Sequence, residues 1–202
     1  MPTSLEAVVA QARGLYAEGR SRTEVARAVY GVDLPAEFFV IVDAVVADSA
    51  ALPLYVLCHP WEVCRLADPA REPYLRDVAG QRLVDDAAAQ HPEIVLLMEL
   101  CLSDAVHGDS FVGYDVRELR AGRSTVVGFE GDVPAQGATY SVLGPSLLHV
   151  LAEMTADNLR MMRARATVWE NIRYGTPDQD IEAAVELTRR VEELRLRVVA
   201  LP

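Results

Sequence analysis

The sequence predicts a fold of the α+β class, and three observations support this prediction. Residues 110–115 and 124–129 are rich in aromatic and β-branched side chains, which is typical of strands. The polar segment between them, 116–123, suits a single helical turn that closes near a glycine. The apolar stretches 93–102 and 144–154 on either side are of the kind that supplies a further strand and a covering helix.

Three helices are expected in the first 50 residues. Apolar side chains recur at helical spacing over residues 5–18. Ser21, followed three residues later by Glu24, forms a capping box that starts a second helix, which ends at Gly31. A third helix begins at Pro35 and is apolar over more than half of its circumference, so we expect it to be buried.

The middle of the chain predicts short elements around one insertion. Residues 52–57 are a candidate strand, and Pro60 opens a short helix after it. The polar, alanine-rich segment 68–90 is interpreted as a solvent-facing helical insertion. Residues 93–102 read as a buried strand, although a helix also fits so short an apolar run.

Two long helices are expected to close the chain. A loop over 131–139 and a short strand over 140–143 precede a helix that begins at Pro145 and runs for about six turns. Thr176 then caps a final helix. Its apolar positions alternate in spacing between three and four residues: Ala184, Leu187, Val191, Leu194 and Val198. Packing of this seam on the preceding helix is the favoured interpretation, and a homodimer through the C-terminal helices is the alternative.

Acidic residues are concentrated in the middle of the chain. The formal net charge is −11, and between residues 83 and 159 twelve acidic residues stand against three arginines. Such a field repels nucleic acid and anionic membranes and attracts a basic protein, although solubility alone also explains it. All 19 basic residues are arginine. The missing lysine excludes phosphate loops of the Gly-Lys-Ser/Thr type, Schiff-base enzymes and kinases.

The cysteines and histidines include zinc-ligand types but not in a zinc-binding spacing. Cys58, His59, Cys64, Cys101 and His107 lack two close pairs, so buried thiols are favoured and no metal, cofactor or catalytic residue is predicted. A zinc- or thiol-dependent enzyme built on this group is the less favoured alternative. Three cysteines, no secretory signal and no apolar run of about 18 residues lead us to expect a cytoplasmic protein.

Acidic residues beside glycines bracket the two central strands. His107-Gly108-Asp109 precedes the first strand, and Glu130-Gly131-Asp132 follows the second. Carboxylates in such loops can bind calcium or form an acid–base pair. Turn residues that accept backbone N–H bonds are the favoured interpretation.

Four segments together form a pattern that resembles a known family. Residues 31–39, GVDLPAEFF, begin with glycine and continue with Leu-Pro, an acid and an aromatic residue. Residues 108–115 and 124–130 follow as two strands, and residues 142–151 lead into a helix. This order of entry motif, strand, strand and closing helix resembles the SUKH superfamily, which includes fungal cell-wall assembly regulators and many bacterial immunity proteins, and the resemblance covers about residues 21–155.

The resemblance implies an α+β domain with a mainly antiparallel sheet flanked by helices, acting by binding and not by catalysis. It sets the expected organisation: a domain over 1–155 with an insertion at 68–90, and a helical extension over 156–202 packed on it. Many bacterial members neutralise a toxin, often a nuclease, and an acidic face suits a basic one. The expected partner-binding residues are acidic and flank the central strands: Asp104, Asp109, Asp115, Glu118, Glu130 and Asp132.

Overall fold

The protein is seen here in a computed structural model. It describes residues 4–47, 56–70, 78–101, 109–129, 139–169 and 177–201. Most of the expected loop at 131–139, the first part of the expected strand at 52–57 and the cap at Thr176 lie outside these ranges.

The described part of the chain contains helices and a five-stranded sheet. The helices, in chain order, are α1 Leu5–Ala17, α2 Arg22–Tyr30, α3 Ala36–Ala47, α4 His59–Arg65, α5 Val78–Gln90, α6 Val116–Arg120, α7 Leu147–Trp169 and α8 Pro177–Val199. The strands are β1 Val56–Leu57, β2 Ile94–Cys101, β3 Asp109–Asp115, β4 Val126–Phe129 and β5 Tyr140–Gly144.

The sheet is antiparallel, and its strands lie in the order in which they occur in the chain, β1 to β5. Helices α4 and α5 pack on β2, and α6 lies beside β3. The predicted α+β class, with an antiparallel sheet flanked by helices and helices at the C-terminus, is confirmed. The short run 94–101, which also suited a helix, is a strand.

The chain divides into two compact units. One comprises residues 1–35 and 54–145, and the other comprises residues 36–53 and 146–202. The expected boundary after residue 155 falls inside the continuous helix α7, and this division groups α3 with the C-terminal helices.

Local sequence signals account for the first helices. Ser21 accepts a hydrogen bond from the Glu24 backbone N–H, and Glu24 bonds back to the Ser21 N–H at 2.8 Å, so the predicted capping box is confirmed. Helix α2 ends at Gly31, whose φ of 68° is the left-handed conformation that glycine adopts without strain. Tyr16 of α1 donates its hydroxyl to the carbonyl of Val63 in α4 at 3.0 Å and joins the two helices.

Helix α5 packs on the core of the first unit. Its Val84 and Ala87 are buried against a cluster that includes Ile94, Leu96 and Phe111 of the sheet. The expected helix is therefore present over 78–90, and the solvent-facing interpretation describes only its outer side, where Arg82, Asp86 and Gln90 are exposed. Only a narrow stripe of α5 is apolar. Alanine forms part of this stripe, and because alanine is also common on exposed helix surfaces, the sequence does not show which side is buried.

The second unit consists of α3, α7 and α8. Helix α8 packs along α7, with Ala184, Val191 and Leu194 buried, which confirms the favoured interpretation of the final seam. Glu186 pairs with Arg190 along α8, with 2.7 Å between the carboxylate and the guanidinium.

The start of α7 is held by a residue from α3. Glu37 is buried, and its two carboxylate oxygens accept hydrogen bonds from the backbone N–H groups of Leu147 at 2.8 Å and Leu148 at 3.4 Å. Ser146 accepts the next one, from the N–H of His149 at 3.1 Å. Three of the four N–H groups that a helix leaves unpaired at its start are thereby satisfied.

Candidate functional site

Three of the six expected partner-binding residues lie outside the described part of the chain: Asp104, Glu130 and Asp132. Asp109 is the first residue of β3, where its backbone pairs with Cys101 of β2. Asp115 and Glu118 are both described in full, and both lie where β3 passes into α6.

Asp115 is the N-cap of α6. Its Oδ1 accepts hydrogen bonds from the backbone N–H groups of Arg117 at 2.7 Å and Glu118 at 3.4 Å. Its backbone is extended, as expected for a residue that ends a strand and starts a helix. This carboxylate therefore stabilises the turn between the two central strands.

Glu118 is bound by an arginine on the far side of the same turn. Arg123 donates to its two oxygens at 2.6 and 2.7 Å, and the hydroxyl of Thr125 donates at 2.9 Å. These hydrogen bonds lower the pKa of Glu118 to about 2. The side chain keeps 29% of its surface exposed, so the molecule presents a compensated ion pair here and not a bare negative charge.

Other acids of the 83–159 stretch are exposed. Asp86 lies on the outer face of α5 in the first unit. In the second unit, Glu153 lies 3.7 Å from the imidazole of His149, and Asp157 pairs with Arg160 on α7. The structure thus leaves Asp86 and Glu153 accessible, while Asp115 and Glu118 are tied to local groups.

A polar cluster that the sequence did not reveal joins three helices. Oδ1 of Asp85 in α5 lies 2.8 Å from Nε2 of His59 in α4 and accepts from Gln81 at 2.8 Å and from the backbone N–H of Leu5 at 3.1 Å. His59 is buried. A histidine beside a carboxylate is a pair that can serve in catalysis. Here the same oxygen atom also anchors the start of α1, which makes the cluster a structural junction.

A small cavity lies beside this cluster. Its volume is about 20 Å³, and it is lined by residues that include Tyr30, Cys58, His59 and Leu96. That volume accommodates about one water molecule and no organic substrate. The Tyr30 hydroxyl is buried without a hydrogen-bond partner among the described residues. Desolvation raises its pKa well above the usual value, so the phenol stays protonated.

The group proposed for zinc or thiol chemistry is described only in part. Cys58 and Cys64 are buried and are not linked by a disulfide. Within the ranges that the structure describes, no three His, Cys, Asp or Glu side chains come together as metal ligands do. His107 lies outside those ranges, so this alternative stays untested. Trp61 is fully buried and donates its indole N–H to the carbonyl of Leu97 at 2.6 Å, which makes it a core residue.

The structure also shows two groups of exposed apolar side chains that were not predicted from the sequence. On β5, Val142 is 71% exposed and Leu143 is 41% exposed. On α8, three large apolar side chains face solvent: Val185, Leu196 and Val199. Their spacing in the sequence suits one side of a helix, different from the side that forms the buried seam.

Comparison with known proteins assigns no relative. Neither a family model, nor a curated protein, nor a solved structure matches the chain. The resemblance to the SUKH superfamily therefore remains a proposal. Among the helices of the described ranges, none combines the length and the apolar character needed to cross a bilayer.

Proposed function

We propose that this chain is a cytoplasmic, non-catalytic protein-binding module of the SUKH type, an immunity-type protein that neutralises a toxin by direct association. The toxin is basic, as many nucleases are, and binds to an acidic surface formed around the central strands. The observation that carries this proposal is the charge distribution, with twelve acids against three arginines between residues 83 and 159. A surface of that sign accelerates encounter with a basic partner.

The geometry of the described residues refines which acids take part. Asp115 and Glu118 are bound to backbone and arginine groups, so each contributes less charge to a partner than its formal value. The proposed surface accordingly relies on the acids that precede or begin the first central strand and those that follow the second: Asp104, Asp109, Glu130 and Asp132. Asp86, in the first compact unit, adds to the negative field.

Two features of the first unit support binding over catalysis. The cavity lined by Tyr30, Cys58 and His59, of about 20 Å³, has room for about one water molecule. The pair of His59 and Asp85 beside that cavity is used to join helices α1, α4 and α5. A binding protein needs neither an enclosed substrate site nor a free base.

The test requires a partner, which is sought first among basic proteins encoded beside this chain and then by pull-down from the native cell. A quadruple variant neutralises the four acids next to the central strands: Asp104→Asn, Asp109→Asn, Glu130→Gln and Asp132→Asn. We expect association with the captured basic partner to slow about tenfold at low salt, with a shallower dependence on ionic strength.

The matched control removes the same number of charges elsewhere. It carries Glu6→Gln, Glu18→Gln, Asp43→Asn and Glu182→Gln, all at exposed positions outside the 83–159 stretch. If charge location matters, the control associates within about twofold of the wild-type rate. Equal slowing of both variants, or association that is insensitive to salt, would reject the proposed surface.

A second function, a homo-oligomeric scaffold, is favoured by one specific observation. Leu196 and Val199 are 63% and 82% exposed and lie three residues apart, on one side of α8. The residues on that side of α8 repeat at helical spacing, as described in the next subsection.

A further inference from the structure

Helix α8 carries a second stripe on the side opposite its buried seam. The stripe consists of Val185, Arg189, Glu192, Leu196 and Val199, which alternate in spacing between four and three residues. All five side chains are exposed. At 100° per residue they fall within about 80° of one another, on the helix face turned away from α7. We call these five residues the outer stripe.

The outer stripe is self-complementary when read in opposite directions. If two copies of α8 lie antiparallel with Val185 facing Leu196 of the second copy, Arg189 faces Glu192 of the second copy. Two-fold symmetry repeats both contacts, because an isologous interface uses the same patch on both subunits. The result is two arginine–glutamate pairs at the centre with an apolar contact at each side.

The two central charges are available for this contact. Arg189 donates to both oxygens of Glu186 at 2.7 and 2.8 Å and also pairs with Glu193, and Glu192 pairs with Arg195 at 3.0 Å, all on the helix surface. The side chains of Arg189 and Glu192 nevertheless remain 54% and 55% exposed. Exposed pairs of this kind contribute little alone and exchange partners readily.

We propose that the outer stripe of α8 is an antiparallel dimer interface whose occupant is α8 of a second copy of this chain. Charge favours that occupant. Residues 160–202 carry seven acids and eight arginines, so two copies meet there without the repulsion that the 83–159 stretch creates. A basic partner, which suits the acidic stretch, finds no net attraction on this face.

The dimer is expected to be weak. The stripe covers about four helical turns, and one helix pair buries less than the roughly 1,200 Å² of a stable interface. Self-association in the micromolar range follows, so sedimentation velocity on the full chain should span roughly 1 to 500 µM. A wild-type chain that stays monomeric over this range overturns the proposal.

Charge reversal gives a test that does not depend on helix stability. Arg189→Glu places glutamates opposite each other in the dimer, and Glu192→Arg places arginines opposite each other. Each variant alone should self-associate about tenfold more weakly than the wild type. An equimolar mixture of the two restores opposite charges in every pair and should return to within about threefold of wild-type association. If the mixture does not regain self-association, the antiparallel register is refuted, because mixing leaves the fold of each variant unchanged.

Cross-linking tests the same register independently. Chains with Val185→Cys mixed with chains with Leu196→Cys should form a disulfide-linked dimer under mild oxidation. Leu196→Cys alone should not, because the two copies of that residue lie about 16 Å apart along the antiparallel helices. Efficient linking of Leu196→Cys to itself would instead indicate parallel helices and overturn the proposal.

An apolar substitution separates the stripe from the other exposed patch. Leu196→Asp removes two symmetric apolar contacts and should weaken the dimer about 100-fold. Val142→Asp, at a 71% exposed position on β5, is the control and should leave self-association unchanged. If Val142→Asp dissociates the dimer and Leu196→Asp does not, the interface lies on β5 and the proposal is wrong.

Discussion

Replacing Glu37 by alanine tests how the second unit is held together. The carboxylate is 6% exposed and accepts hydrogen bonds from the first two backbone N–H groups of α7, at 2.8 and 3.4 Å. The substitution leaves both donors without this acceptor and removes a negative charge from the positive end of a 23-residue helix.

The cost follows from these contacts. An unpaired buried donor costs about 1–3 kcal/mol, and the longer of the two bonds lies at the lower end of that range. The loss of the interaction with the helix dipole adds up to about 1 kcal/mol, while the relieved desolvation of the carboxylate offsets part of the total. We expect Glu37→Ala to lower the free energy of unfolding by about 3 kcal/mol.

Urea denaturation followed by circular dichroism measures this loss. Glu182→Ala, at an exposed position on α8 in the same unit, is the control and should change stability by less than about 0.5 kcal/mol. Hydrogen exchange at the amides of Leu147 and Leu148 provides a local readout and should accelerate in Glu37→Ala only. A loss below about 1 kcal/mol, with unchanged exchange at those amides, would refute the capping role of Glu37.

Two further predictions concern the first unit. Gly113→Ala should lower the free energy of unfolding in urea by about 3 kcal/mol, because the added Cβ would lie 2.5 Å from a β2 side chain and 2.6 Å from a β2 backbone oxygen. The matched control is Gly128→Ala, whose Cβ would meet the flexible side chain of Leu143 and should cost less than about 1 kcal/mol. Equal losses in the two variants would contradict this reasoning. The folded-state pKa of Glu118, about 2, lies below its ordinary value, so its stabilising contribution is complete above about pH 4.5 and is lost as the pH falls toward 2. Arg123→Ala should move the NMR titration midpoint of the Glu118 side chain upward, toward 4.5, and an unmoved midpoint would show that the guanidinium does not set it.

The features that the sequence predicted correctly are those that depend on interactions within a few residues. The Ser21 and Glu24 capping box, the glycine end of α2 and the β-branched and aromatic central strands all depend on near neighbours, and each was predicted correctly. The N-cap role of Asp115, with Glu118 three residues later, carried a comparable signal, but both were read as binding acids.

Interactions between residues far apart in the chain could not be predicted from the sequence. Glu37 lies in the first turn of its own helix, but its oxygens bind a helix start 110 residues later, which no local pattern indicates. The contact of His59 with Asp85 spans 26 residues and follows no periodic pattern. The charge imbalance was visible by counting, but the share of that charge already bound by Arg123 requires coordinates.

The late capping of α7 by Glu37 has a consequence for synthesis on the ribosome. At 5–20 residues per second, roughly 5 to 20 seconds separate the emergence of the apolar helix α3 from that of the backbone it binds. During this interval Phe38, Ile41 and Val42, buried in the finished protein, have no second unit to pack in. The nascent chain is therefore expected to be a chaperone client, and its aggregation during translation should be most sensitive to substitutions in α3.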